Sequence, residues 1–165
     1  MRGAILILLV LNVALGIGIG LMIQEVSSFA EKPIDIATKI TNSEVPSPFN
    51  HVRESQISVE DGKVVIDLSG EEVGWSRYTD SNSMDRTLDD GHNGIEIKPK
   101  STKEIYVGDI VAFRYGKDLV VHRVVEIGND IDGWYAETKG DNNAYVDPGK
   151  RRFKDIERLT VGIIF

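Results

Sequence analysis

The sequence predicts a mainly all-β fold, a small coiled barrel or folded sheet, behind one N-terminal membrane-spanning helix. Three observations carry this reading. From Gln56 onward, short runs rich in Val, Ile, Tyr and Trp alternate with Gly, Asp and Asn, the pattern of strands separated by tight turns. Few stretches of that region suggest a helix, as expected of a sheet-based domain. Residues 3–23 form a run of 21 residues without a charge, about the length that crosses a bilayer core.

The first element is that run, GAILILLVLNVALGIGIGLMI, with Asn12 its one polar residue. Arg2 precedes it and Glu25 is the first charge after it, so the positive-inside bias keeps the N-terminus cytoplasmic and exports the rest. A cleaved signal peptide is the alternative. Its apolar core is typically about 7–15 residues, shorter than this one, but Ser28-Phe29-Ala30 supplies a small-x-small site. Gly16 and Gly20 have the GxxxG spacing of a helix-packing face. Residues 24–55, with Pro33, Pro46 and Pro48, read as a stalk, with a short amphipathic turn over 34–40.

Residues 56–165 read as the folded domain. Residues 56–59 and 64–68 predict a hairpin about Asp61-Gly62, a dipeptide suited to the positive φ angles of a tight turn. A short strand follows at 94–97. Residues 110–115 and 119–127 predict a second hairpin about Gly116-Lys117-Asp118. Further strands are expected at 134–139 and 159–165, with one helical turn over 153–158. There is no internal repeat and no low-complexity tract.

Composition excludes several chemistries. There is no cysteine, so disulfides, zinc–thiolate sites and thiol nucleophiles are out. Beyond residue 24 the chain holds 18 basic and 26 acidic side chains, a net −8. That balance speaks against nucleic acid as a partner and against adsorption to anionic lipid headgroups.

Three histidines are available. His51 falls in the stalk. His92 follows Asp89-Asp90-Gly91, and with Asp85 these are hard or borderline metal ligands. Their spacing fits neither an EF-hand nor a helical His pair, so a solvated acidic turn is the expectation, with no metal and no cofactor. His122 lies inside the run LVVHRVVEI. Period-two alternation sets it on one face with Val120 and Val124, while Val121, Arg123 and Val125 face the other way. An imidazole among valines either satisfies a core hydrogen bond or serves as an acid or base. The stretch KGDNNAYVDP (139–148) and the serines around Met84 complete the types a serine hydrolase needs. A serine hydroxyl is a poor nucleophile until a base takes its proton. A histidine can do so when a carboxylate fixes its tautomer.

Four blocks in this order resemble the type I signal peptidases, in their archaeal and endoplasmic-reticulum branch. They are Ser81-Asn82-Ser83-Met84-Asp85, Val107-Gly108-Asp109-Ile110-Val111, Val121-His122-Arg123-Val124, and Lys139-Gly140-Asp141-Asn142-Asn143 followed by Asp147. The resemblance covers about residues 78–165 together with the N-terminal anchor. It implies a signal-peptidase-like β domain and a membrane-anchored serine endopeptidase that removes signal peptides from exported preproteins, its partners being those peptides and the bilayer. It implies Ser83 as nucleophile and His122 as general base, with Asp147 as third member and Asp141 as a second carboxylate whose role is open. The Ser83 N–H and the Ser81 hydroxyl would form the oxyanion hole, and Met84 would line the apolar wall under the substrate. The family box continues S-M-x-P, whereas this chain has Arg86. A proline there would pin the turn after the nucleophile, an effect of order 1 kcal/mol. That departure keeps two alternatives open: a catalytically impaired membrane-anchored binding or scaffold module, and a peptidase dedicated to a particular surface protein.

Overall fold

The structure, a computed structural model, describes residues 45–165. The expected anchor at 1–23, the Gly16/Gly20 spacing, the turn at 34–40 and the first part of the stalk lie outside the described residues. Among the described residues no helix is long and apolar enough to cross a membrane.

The domain is mainly β. Strands β1 (Ile57–Glu60) and β2 (Lys63–Ile66) form a separate hairpin. Its turn residues Asp61 and Gly62 have φ of 50° and 75°, both positive as a type I′ turn requires. The other strands are β3 (Val73–Arg77), β4 (Asn93–Ile97), β5 (Ile110–Tyr115), β6 (Asp118–Asp130), β7 (Gly133–Lys139) and β8 (Ile156–Ile164). They make one six-stranded sheet in the order β3-β4-β8-β5-β6-β7, with every neighbouring pair antiparallel. Among the described residues the ladder ends at β3 on one side and β7 on the other, an open sheet rather than a closed barrel. Register shifts interrupt the β4–β8, β5–β8 and β6–β7 pairings, and such bulges bend a sheet and increase its local twist.

The β5–β6 hairpin turns on two residues, Gly116 and Lys117, with Gly116 at φ 65°. β6 runs on to Asp130, three residues past its expected end. Strand β8 begins at Ile156, directly after a 3-10 turn at Phe153–Asp155, where a longer helical turn is expected from sequence. Strand β3 has no counterpart in the sequence reading. Val73 is its one β-branched residue, and its ladder partner β4 supplies what its own propensity does not.

Both faces of the sheet are covered. Val111, Phe113, Val124, Ala136 and Leu159 form the main core and are essentially inaccessible. Ile110, next to Val111 and so on the opposite face, packs with Tyr78, Met84 and Leu88 in a second cluster. The end of the segment read as stalk lies against this domain. Phe49 stacks on Tyr106 with ring centroids 4.2 Å apart, and the Pro46 carbonyl accepts from Arg123 Nη1 at 3.1 Å. Gly108 sits under this strap at φ 102°, where a Cβ would collide with the Ser47 carbonyl.

Candidate active site

The site is built where β7 stops short of β6. The β6–β7 ladder runs from Asp130↔Gly133 to Arg123↔Lys139. Residues 118–122 of β6 therefore pair with β5 on one side and, among the described residues, with no strand on the other. Beyond Lys139 the chain turns at Gly140 and comes back along β7, where the Asp147 N–H donates to the Thr138 carbonyl.

That return brings Asp147 to His122. Asp147 Oδ2 lies 2.6 Å from His122 Nδ1, and the Thr138 hydroxyl donates to the same oxygen at 2.8 Å. A carboxylate only accepts, so Nδ1 carries a proton, and in the neutral ring it is Nε2 that holds the lone pair. Among the described residues Nε2 makes no hydrogen bond, and the one buried side-chain polar atom left without a partner lies elsewhere, on Glu96. Nε2 thus faces open space although the His122 side chain is only 8% exposed. Beside it is a cavity of about 220 Å³ walled by Phe113, Tyr115, Val120, Pro148 and Arg151. The buried Arg151 lies over the Phe113 and Tyr115 rings and donates to the Pro148 carbonyl at 2.7 Å.

Asp141 is held elsewhere. Its carboxylate takes Arg123 Nε and Nη2 at 2.8 and 2.6 Å and the Thr87 hydroxyl at 2.5 Å. Burial pushes its pKa up, but the hydrogen bonds and charge of Arg123, with the Thr87 hydroxyl, outweigh this and hold it below the ordinary aspartate value. Its backbone N–H points at Met84 Sδ, 3.4 Å away. Asp141 is therefore a clamp joining β6 to the turn after Ser83, and Asp147 is the carboxylate in contact with His122.

Ser83 is held by the same loop. The Asn142 N–H donates to the Ser83 carbonyl at 3.0 Å, and the Asn142 side chain to the Asn82 carbonyl at 2.9 Å. Gly140 passes so close that a Cβ would meet the Ser83 carbonyl at 2.5 Å. The serine block and the Lys139–Asn143 block, 60 residues apart, thus form one unit. Asn82 turns the chain into Ser83 with φ 55°, a conformation Asn tolerates better than most residues. Ser83 Oγ is 3.1 Å from Ser81 Oγ. No hydrogen bond joins Ser83 Oγ to His122 Nε2, and the Ser83 N–H donates to nothing among the described residues. Ser81, Ser83 and Met84 wall a cavity of about 420 Å³, whose far side is Leu119, Val120 and Val121 of the unpaired β6 edge. Val120 borders this cavity and the one beside His122.

Met84 is 4% exposed and belongs mainly to the cluster of Tyr78, Leu88 and Ile110. It anchors the Ser83 turn to the sheet and contributes a patch of the cavity wall. Arg86 has φ 78°. Proline is fixed near −65°, so the idea that proline would pin this turn fails for this backbone.

The other two histidines are held by contacts away from Ser83 and Asp147. His51 Nε2 lies 3.0 Å from both oxygens of Asp109, which is fully buried and also accepts the N–H groups of Phe49 and Tyr106. His92 Nδ1 accepts the Asp89 N–H at 3.1 Å, and its ring meets the Phe165 ring at 4.7 Å. Among the described residues no group of three or more His, Asp or Glu side chains is placed to hold a metal.

Sequence reading missed Thr138, Thr87, Asn142 and the clamp role of Arg123. One signal for the last was present: alternation turned Arg123 to the face opposite His122, and a buried arginine needs a carboxylate. No family model matches the chain, and neither the curated proteins nor the solved structures contain a match.

Proposed function

We propose that the chain is a membrane-anchored serine endopeptidase that removes signal peptides from exported preproteins, with its catalytic domain outside the cytoplasm. The observation that carries the reading is the His122–Asp147 pair, 2.6 Å apart, which lines a cavity that shares Val120 with the one holding the Ser83 hydroxyl. In this reading a peptide enters extended and pairs with the unpaired edge of β6 at residues 119–121, as strand addition to an open edge allows. The Ser83 side chain leaves Ser81 for His122 Nε2 as substrate enters; catalytic hydrogen bonds often tighten only in the complex. Ser83 Oγ then attacks the scissile carbonyl while Nε2 takes its proton, and Asp147 stabilises the imidazolium. The Ser83 N–H and the Ser81 hydroxyl receive the oxyanion, each such donor contributing about 3–4 kcal/mol. His122 returns the proton to the leaving amine, and water releases the acyl group from Ser83.

A second reading has its own support. Ser83 Oγ bonds to Ser81 rather than His122, the arrangement expected of a membrane-anchored binding or scaffold module that no longer turns over. A third keeps the chemistry and restricts the substrate to a particular surface protein. The test is to give the full chain in detergent several unrelated preproteins and to map the new N-termini. Cuts after a small-x-small site in all of them support general processing. A cut in one alone supports a dedicated peptidase, and intact preproteins that remain bound support the module.

A further inference from the structure

The β5–β6 hairpin carries a cavity on each of its faces. In its register Val111 pairs with His122 and Phe113 with Val120, whereas Ala112 pairs with Val121 and Arg114 with Leu119. Residues paired across a ladder share a face, and neighbours along a strand do not. Ala112, Leu119 and Val121 therefore wall the Ser83 cavity from one face. Phe113, Tyr115, Val120 and His122 wall the smaller cavity from the other, with Pro148 and Arg151 completing it. Residues 118–122 of β6, which have no strand partner on their outer side among the described residues, run between the two. The smaller cavity presents almost only carbon to its interior. Arg151 lies over the Phe113 and Tyr115 rings and gives Nη2 to the Pro148 carbonyl. At about 220 Å³ the cavity is smaller than the roughly 300–1,000 Å³ of a site for a whole small molecule, and it suits one side chain.

We propose that this cavity is a substrate subsite for one large apolar side chain, such as leucine, methionine or phenylalanine, on the residue two before the cut. The inference rests on the strand-addition reading above and deepens it. A peptide extended along the β6 edge turns successive side chains to opposite faces of the sheet. The residue before the cut brings its carbonyl to Ser83 and its side chain into the Ser83 cavity. The next residue back then points to the opposite face, where Val120 and Tyr115 await it. Seating an apolar side chain there removes apolar surface from water on both partners. It also displaces water from beside the His122–Asp147 pair, where a drier surrounding strengthens the interaction of charges.

The test uses the full chain in detergent and a peptide spanning the small-x-small site of a preprotein, with leucine or alanine at the middle position. Binding is measured on the Ser83→Ala form and cleavage on the wild type. The leucine peptide is expected to bind about tenfold tighter than the alanine peptide. Tyr115→Ala, which takes away one wall of the cavity, should abolish most of that ratio when added to the Ser83→Ala form. Tyr115→Phe, which keeps the ring, should preserve it. Circular dichroism of both variants separates a lost preference from a lost fold. Equal affinity of the two peptides, or a leucine preference unchanged in Tyr115→Ala, overturns the proposal. Leucine-dependent binding without cleavage would uphold the subsite and count against the peptidase. Cleavage without leucine preference would do the reverse.

Discussion

Single side chains divide the work at the site. In the proposed peptidase His122 acts as base, with Asp147 and Thr138 fixing its proton on Nδ1. Asp147→Asn lets an amide donate to Nδ1 and so moves the ring proton to Nε2, where the proposed mechanism needs a lone pair. It is expected to lower kcat/KM by roughly 10³- to 10⁴-fold with an unchanged circular dichroism spectrum, by analogy with the same substitution in other triads. Asp141 does something different. Replacing it by Asn leaves Arg123 buried without its carboxylate, and a broken buried pair costs about 3–5 kcal/mol, readable as a lower denaturation midpoint. Its pKa is lower folded than unfolded, so the unfolded chain takes up the proton first as pH falls. The stability from this pair is full above the ordinary aspartate value near 3.9 and drains away as pH drops through the lowered value. Melting temperature should therefore fall less steeply with acid in Asp141→Asn than in the wild type. Alternation alone put His122 with Val120 and Val124. The choice between Asp147 and Asp141 was not legible, because it depends on how the chain folds back after Gly140. The positive φ of Arg86 was equally hidden, since arginine carries no signal for it.

Among the elements, the short reach of β7 matters most. Because its ladder with β6 ends at Arg123↔Lys139, one edge of residues 118–122 is left without a strand partner among the described residues, and this is the edge the proposed substrate strand would use. Gly140→Ala tests this packing, since the added methyl would push on the Ser83 carbonyl and the Asn143 side chain. A displacement of about 1 Å at a nucleophile can cost on the order of 10² in rate. The variant is expected to lose that much kcat/KM while its melting temperature drops by only a few degrees. The two hairpins were legible because Asp-Gly and Gly-Lys turns sit between β-branched runs. β3 was not, because its apolar residues Val73 and Trp75 face outward while Gly74 and Ser76 take the inner side, the reverse of the usual alternation. The sheet's bulges also leave no trace in composition.

Over the whole molecule, two clusters on opposite faces of one bent sheet hold the strands, and a strap over residues 45–53 closes one end. Leu159 is fully buried in the main cluster, so Leu159→Ala should cost about 2–5 kcal/mol, measured by chemical denaturation. The strap was read as stalk because its prolines break regular structure. Its tether is a contact between His51 and Asp109, 58 residues apart, which no local pattern announces. The mainly β class was legible, whereas the open ladder was not, since closure depends on which strands end up as neighbours.

The central claim is that Ser83, His122 and Asp147 act as one hydrolytic unit. Its most direct test is the rate of preprotein cleavage by the full chain beside Ser83→Ala and His122→Ala, each shown to be folded. Loss of a thousandfold or more in both variants is the predicted result, and equal cleavage by all three proteins would contradict the claim.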